Sequence, residues 1–356
     1  MKFKSFLILI ASLFALVGGI LAVTAIGGGN VEHAFAFWGE HLIIAAIWLM
    51  LSLSLNLING CCGLFSLGHQ GFWMIGAYAA AATVKYLPPG GDQNWLGFIL
   101  SFPIAVVAAA AFGLLVGIPC LRLSGDYLAI ATLAFSEILR NLVENSEPLG
   151  KSLGLSPPNV IRNATTKNWN YAIYLVLAWA GAALTMLVLR NLMRSSHGRA
   201  IQAIRDDERA AELLGVNLTF YKVFVFVTGA AFAGLAGALF ANFNAFVSIG
   251  HFSFNQGVML VVMVVLGGMG DMGGTTAATI VLYFVGNVFL KWLPSINVPV
   301  FYDPTQGGVV WTEIRNLWQV FFSVLLIVVV LVRPEGLLKG IDLTALFKRR
   351  APADGK

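Results

Sequence analysis

The chain has 356 residues, 58% of them hydrophobic and only 11% charged, with a net charge of +5. An ordinary soluble domain is about a quarter charged, so this composition excludes a soluble enzyme. It implies a polytopic membrane protein, an all-α transmembrane helical bundle with no soluble second domain. The positive balance is therefore read through where the basic residues sit, as a topology signal and not as a nucleic-acid surface.

In chain order, Lys2 and Lys4 precede an apolar run from Phe6 to Ile26. It is longer than a typical signal core and is followed by further spans, so we read it as an uncleaved first crossing despite the cleavage-like Ala22-Val23-Thr24-Ala25. About ten crossings are expected, some short or broken: 6–26, 42–59, 71–84, 97–118, 126–142, 171–190, 221–241, 256–267, 275–291 and 317–332. Residues 1–30 form an N-terminal span and leader, 31–340 the transmembrane domain with a charged loop at 191–220, and 341–356 a basic tail. An even count puts both termini on one side. Fifteen of the 22 basic residues fall there, which makes that side, the charged loop and both termini cytoplasmic. Cys61, Cys62 and Cys120 are odd in number and lie in or beside apolar segments, so they are read as inert packing.

Two expected short spans open on glycine. Cys61-Cys62-Gly63-Leu64-Phe65-Ser66-Leu67-Gly68-His69-Gln70-Gly71 leads into the third, and Gly267-Gly268-Met269-Gly270-Asp271-Met272-Gly273-Gly274 follows the eighth. Broken helices at membrane depth need protein or water around them, and in transporters such pairs mark the solute pathway. The plainer alternative is that glycine lets helices approach or turn. The fifth span carries Asp126, Glu137 and Arg140. At about 1.5 Å per residue, Glu137 lies roughly 16 Å along from Asp126, near the midplane. It must face protein, water or solute, either paired with Arg140 or within a pathway, whereas Asp126 alone could cap the helix. Ser66, His69, Asp126, Thr132, Ser136 and Glu137 are thus the candidate pathway residues. In the seventh span, Gly229, Ala233 and Gly237 recur every four residues beside Ala230, Gly234 and Ala238, a pattern for close helix packing in lipid.

Between the sixth and seventh spans lies the one densely charged stretch, Gly198 to Gly215. Read as one helix, Ala200, Ile204, Ala211 and Leu214 share a side, interrupted by Asp207 and Glu208, and Arg205, Arg209 and Glu212 lie opposite. Small residues on the contact side and a glycine stop suit docking into another protein; a solvated loop helix is the other reading. Asn145 to Ser152 approaches a phosphate-cradling loop, but it lacks the first glycine and a preceding strand. Asn163-Ala164-Thr165 is a bare glycosylation pattern, and the five histidines have no partners at metal-ligand spacing. No catalytic nucleophile, base, metal or cofactor pattern is present.

The run Gly198 to Asn217, then Tyr221-Lys222 and Gly234-Leu235-Ala236-Gly237-Ala238-Leu239, resembles the permease subunit of branched-chain amino acid ABC transporters. Similar family patterns recur in order at Ser66-Leu67-Gly68-His69, Gly125-Asp126-Tyr127-Leu128-Ala129-Ile130, Leu266-Gly267-Gly268-Met269-Gly270 and Arg333-Pro334-Glu335-Gly336-Leu337. The resemblance implies that the charged loop is a coupling loop, with Ala210, Ala211 and Gly215 as its core and Arg205, Asp206, Glu208 and Glu212 around it. It implies a second related permease, two ATP-binding subunits that hold ATP and magnesium, a periplasmic solute-binding protein and an inner-membrane location. The chain departs from the family at Arg209, where generic importers have Glu, at Lys151 in place of Gly, and at Thr275 in place of Pro. Two rival functions remain at this point: a permease of the same family for urea or short amides, and an ATP-independent channel or secondary carrier in which Glu137 titrates. A membrane redox subunit is disfavoured because no haem, cluster or quinone ligand pattern is present.

Overall fold

A computed structural model describes residues 31–87, 94–120, 123, 125–161, 167–289, 297–303 and 308–313, together with Val324 and Ile327. The expected first and tenth spans, the leader and the basic tail lie outside these residues, as do Arg333 to Leu337. The described chain is nearly all helical, in keeping with its composition. The exception is an antiparallel hairpin of β1 (Asn297–Asp303) and β2 (Gly308–Glu313), in register from Asn297↔Glu313 to Asp303↔Gly308 with an irregularity between Pro299 and Phe301.

The long helices are α1 (Val31–Asn56), α2 (His69–Tyr86), α3 (Trp95–Cys120), α4 (Asp126–Asn145) and α5 (Lys167–Arg194). Two short helices follow, α6 (Ser196–Asp206) and α7 (Glu208–Leu213), then α8 (Leu218–Asn244), α9 (Phe254–Gly267) and α10 (Met272–Phe284). Among the described residues, five helices are long and apolar enough to cross a membrane: Ala36–Cys61, Trp95–Cys120, Asn170–Arg194, Leu218–Asn244 and Ile249–Gly267. Met272–Val288 is a shorter apolar helix. The expected crossings at 71–84 and 126–142 are helical too, but α2 has polar ends and α4 carries four acidic or basic side chains.

The α1 helix is the axis of the bundle. It is apolar on every side and is accordingly buried on every side, with 89% of its apolar window enclosed, against α5, α8, α9 and α10. Its last helical residue runs into a π turn, Leu57–Cys61, whose residues are all buried. On the other side of α8, helices α2 and α3 pack against it and against each other. Lipid offers no hydrophobic drive for helix association, so close contact has to supply it. On α8, a Cβ at Gly229 would strike Ile58, one at Gly234 would strike Ala109, and one at Gly237 would strike the Trp73 backbone. Across from Gly234, Gly76 of α2 lies close enough that its own Cβ would meet the Gly234 backbone. Ala233 is fully buried in the same helix.

At one end of the bundle the aromatic rings of Trp73, Phe240 and Phe252 interlock edge to face, with centroids 4.7 to 5.9 Å apart. At the other end lie α6 and α7. Twenty-one residues separate Glu40 from Cys61 along α1 and its π turn, about 31 Å at 1.5 Å per residue, or one bilayer core.

Candidate functional site

The charged stretch folds as two helices with a sharp elbow between them. The Ser195 hydroxyl accepts from the Gly198 amide at 3.3 Å to start α6. Asp207 ends it: its backbone is extended, and its carboxylate accepts from the Arg209 and Ala210 amides at 2.9 and 3.1 Å to start α7. Gly215, at φ +85°, turns the chain out again. Because the helix breaks at Asp207, the expected single contact side is divided. Ile201, Ile204 and Ala211 are buried in the chain itself, whereas Leu213 and Leu214 are 88% and 83% exposed. Arg205, Asp206, Glu208, Ala210, Glu212 and Gly215 are also exposed. An ion pair ties the elbow to the bundle: the Lys222 ammonium on α8 donates to the Glu208 carboxylate at 2.7 Å.

Above the elbow the two glycine-rich breaks come together on the end of α1. Asn59 in the π turn binds the first break twice, accepting from the Ser66 amide at 3.1 Å and donating to the Ser66 carbonyl at 3.2 Å. One turn earlier, Asn56 accepts from the Gly270 amide of the second break at 2.8 Å. These side chains supply partners that irregular backbone at membrane depth otherwise lacks. A Cβ at Gly60 would overlap both the Asn56 carbonyl oxygen and the Gly270 amide. Arg205 of the elbow lies across both breaks. A Cβ at Gly63 would come within 3.2 Å of the Arg205 Cγ, and one at Gly270 would overlap its guanidinium. Gly63 (φ +76°) and Gly270 (φ +87°) are both left-handed, so backbone conformation and close approach require glycine at each for separate reasons.

Of the six candidate pathway residues, Thr132 and Ser136 of α4 contact the segment that leads into α2, on which Ser66 and His69 also lie. The Thr132 hydroxyl accepts from the Leu67 amide at 3.2 Å, and the Ser136 hydroxyl accepts from the Gln70 amide nitrogen at 3.2 Å. Gly68 and Gly71 lie against the same two residues without room for a Cβ. His69 reaches inward to α1, its Nε2 lying 2.8 Å from the Ser54 hydroxyl. The same hydroxyl also lies 3.0 Å from the Leu51 carbonyl, to which it can donate. Ser66, His69 and Gln70 are fully buried, yet the Ser66 hydroxyl, His69 Nδ1 and Gln70 Oε1 have no hydrogen-bond partner among the described residues. Three orphaned polar atoms in five residues are costly unless something else visits them.

Asp126 and Glu137 stand apart from this cluster. Asp126 is exposed at the end of α4, and Glu137 lies on its flank with 37% of its side chain exposed, 3.4 Å from Arg140 Nε. That approach is an ion pair without hydrogen-bond alignment, since Arg140 Nε has no hydrogen-bond partner among the described residues. The buried face of α4 instead carries Leu128, Ala129, Thr132, Ser136 and Leu139.

Several residues here had not been singled out from the sequence. Asn56 and Asn59 are two amides three residues apart in an otherwise apolar run, a readable signal. At the far end a cavity of about 300 Å³ opens between α1, α2, α8, α9 and α10. Trp48, Trp73, Met259 and Met263 form apolar walls, and Glu40 and Gln256 supply polar groups. The indole nitrogen of Trp73 is buried without an acceptor among the described residues. Nothing in the linear order of these residues announces that they share a space.

Comparison with known proteins gives a consistent result. Residues 37–331 match the family described as branched-chain amino acid transport system / permease component. The chain is 38% identical over 264 residues to the high-affinity branched-chain amino acid transport system permease protein LivM of Escherichia coli K12, covering 67% of this chain and 60% of that protein. It is 27% identical over 307 residues to the corresponding protein LivH of Salmonella typhimurium LT2, covering 83% and 92%. A probable LivM of Methanocaldococcus jannaschii is 26% identical over 336 residues, again covering 83% and 92%. The chain thus spans about three fifths of the length of the first of these relatives. No solved structure matches it. These relatives are transport permease components and not enzymes, and with the apolar helices they make this a multi-pass membrane protein. The chain belongs to the branched-chain amino acid transport permease family.

Proposed function

We propose that the chain is the permease subunit of an ATP-binding-cassette importer in the bacterial inner membrane. It moves a branched-chain or related amino acid by alternating access, driven by two separate ATPase subunits. A second, related permease completes the pathway, in line with the likeness to both LivM and LivH proteins, and a periplasmic binding protein delivers the solute. Both termini and the elbow face the cytoplasm. ATP and magnesium belong to the partner subunits.

The observation that carries this reading is the position of Arg205. A motor can bias a gate only through contacts that differ between two states, and Arg205 links the elbow directly to both helix breaks. The exposed Leu213 and Leu214 offer apolar anchors for a partner at the tip of that lever. The cavity at the far end supports an amphipathic solute, with apolar walls for a side chain and polar groups near Glu40 and Gln256. Those walls favour an aliphatic amino acid over urea.

The test is uptake of labelled leucine into proteoliposomes holding the permeases with or without the ATPase subunits. Transport is expected only with the ATPase and ATP, and Leu213→Asp/Leu214→Asp abolishes it while leaving insertion intact. Transport by the permeases alone, or full activity of the double variant, would overturn the reading.

A further inference from the structure

The cavity between α1, α2, α8, α9 and α10 is long as well as apolar. Glu40, Ile44 and Trp48 stand one turn apart along α1 on its wall, so it reaches about 12 Å along that helix. At its inner end Trp73 of α2 packs on Trp48, with ring centroids 6.2 Å apart. Phe240 and Phe252 flank the same indole, and none of these three side chains has a lone pair to accept from its N–H. Trp73 is 3% exposed, and its Nε1 has no hydrogen-bond partner among the described residues.

One turn before it on α2 lies a group of the opposite kind. Gln70, 1% exposed, gives its amide nitrogen to the Ser136 hydroxyl of α4 at 3.2 Å. Its carbonyl oxygen is left without a hydrogen-bond partner among the described residues. That oxygen lies against α9, where a Cβ at Gly257 would overlap it, and the neighbouring Gln256 lines the cavity. Residues i and i+3 share a helix face, with a rise of about 4.5 Å between them. A buried donor and a buried acceptor are therefore both unmatched, one turn apart, beside one apolar space. Each is a standing cost that a ligand of the converse polarity removes.

Resting on the importer reading above, we propose that the inner end of this cavity reads the charged head of an α-amino acid. Its carboxylate accepts from the Trp73 indole N–H, and its ammonium donates to the Gln70 carbonyl oxygen. The Gln256 carboxamide adds a polar partner for either group, and the aliphatic chain lies against Ile44 and Met259. A solute lacking one of the two charges leaves one protein group unmatched, which is how a polar site rejects close analogues.

Binding of labelled leucine to the full-length chain in detergent is displaced with leucine, with leucinol, which lacks the carboxylate, or with 4-methylpentanoate, which lacks the ammonium. Wild type is expected to take leucine at least about tenfold better than either analogue. Trp73→Phe keeps an aromatic ring without the N–H, so the preference over leucinol falls severalfold while that over 4-methylpentanoate stays. Gln70→Met does the converse, and Gln70→Glu restores the preference over 4-methylpentanoate. A merely structural role for these residues would weaken both preferences in parallel, and that result overturns the proposal. Both preferences surviving intact in Trp73→Phe and Gln70→Met overturn it as well. So does loss of the ammonium preference in Glu40→Gln alone, which would place the head at the outer mouth. Wild type that binds leucine with neither preference overturns it with no variant required, and leaves the importer reading standing. Wild type with no displaceable leucine binding overturns it together with the solute assigned to that reading.

Discussion

The ion pair between Glu208 and Lys222 makes an asymmetric prediction. At 2.7 Å and an effective dielectric near 20, the gross attraction is about 6 kcal/mol, most of it offset by desolvation. The two partners are not equally desolvated, for the lysine side chain is 11% exposed and the glutamate 48%. Glu208→Gln therefore leaves an ammonium with little water to replace its anion. Breaking a fully buried pair costs about 3–5 kcal/mol, and one half-open partner lowers that to about 2. Lys222→Met leaves a carboxylate that water can reach and adds an apolar side chain in a buried place, so it costs under about 1 kcal/mol, as exposed pairs do. The quantity to follow is local opening of α7, read by hydrogen exchange at the amides of Glu212 and Leu213 in the full chain. Two kcal/mol corresponds to about a 30-fold rise in exchange for Glu208→Gln, against under fivefold for Lys222→Met. The double variant should resemble Lys222→Met alone. Equal rates in the two single variants, or a larger effect for Lys222→Met, would refute the argument that unequal burial governs the pair.

Other consequences of the geometry can be measured alongside. Gly270→Ala forces a side chain into a left-handed conformation at a cost of about 1–2 kcal/mol and displaces the Arg205 head, so leucine uptake should fall further than membrane abundance on an immunoblot. Asn56→Leu removes the acceptor for the Gly270 amide and should lower the thermal unfolding midpoint, with a cost of about 1–3 kcal/mol for the orphaned donor; an unchanged midpoint would mean that the second break does not depend on α1. Ala211→Asp buries a charge beside α8 and should reduce folded protein. Gly215→Asp, placed outside the bundle at a left-handed turn, should insert normally and lose uptake. Those two variants separate folding from docking when uptake is normalised to folded chain. Gly234→Leu should abolish the folded bundle outright, because Ala105, Ala109 and Gly76 leave no space beside α8.

What could be read from the sequence followed from short-range regularities. Small residues every four positions placed α8 among its neighbours, since that pattern has one physical use in lipid, and the glycine-rich breaks stood out against apolar runs. The elbow was legible as charge, yet its orientation was not. An extended Asp207 rotates α7 relative to α6, so Ala211 turns inward and Leu213 outward. Periodicity assumes an unbroken helix, and the break invalidates it. Glu137 was placed near the midplane by counting residues, but counting cannot say that α4 lies at the edge of the described bundle with that carboxylate on its flank. The far cavity was illegible for a different reason. Its walls come from residues as distant in sequence as Glu40 and Tyr283, and only the packing of five helices gives them a common space.

The pinning of both breaks to adjacent turns of α1 has a mechanical consequence. Asn56 and Asn59 lie three residues apart on one stiff rod, so neither loop can drift a little way without surrendering its hydrogen bonds. Intermediate positions are therefore poor in energy, and the latch is either closed on both sides or released. A latch built this way has two settings and few stable positions between them.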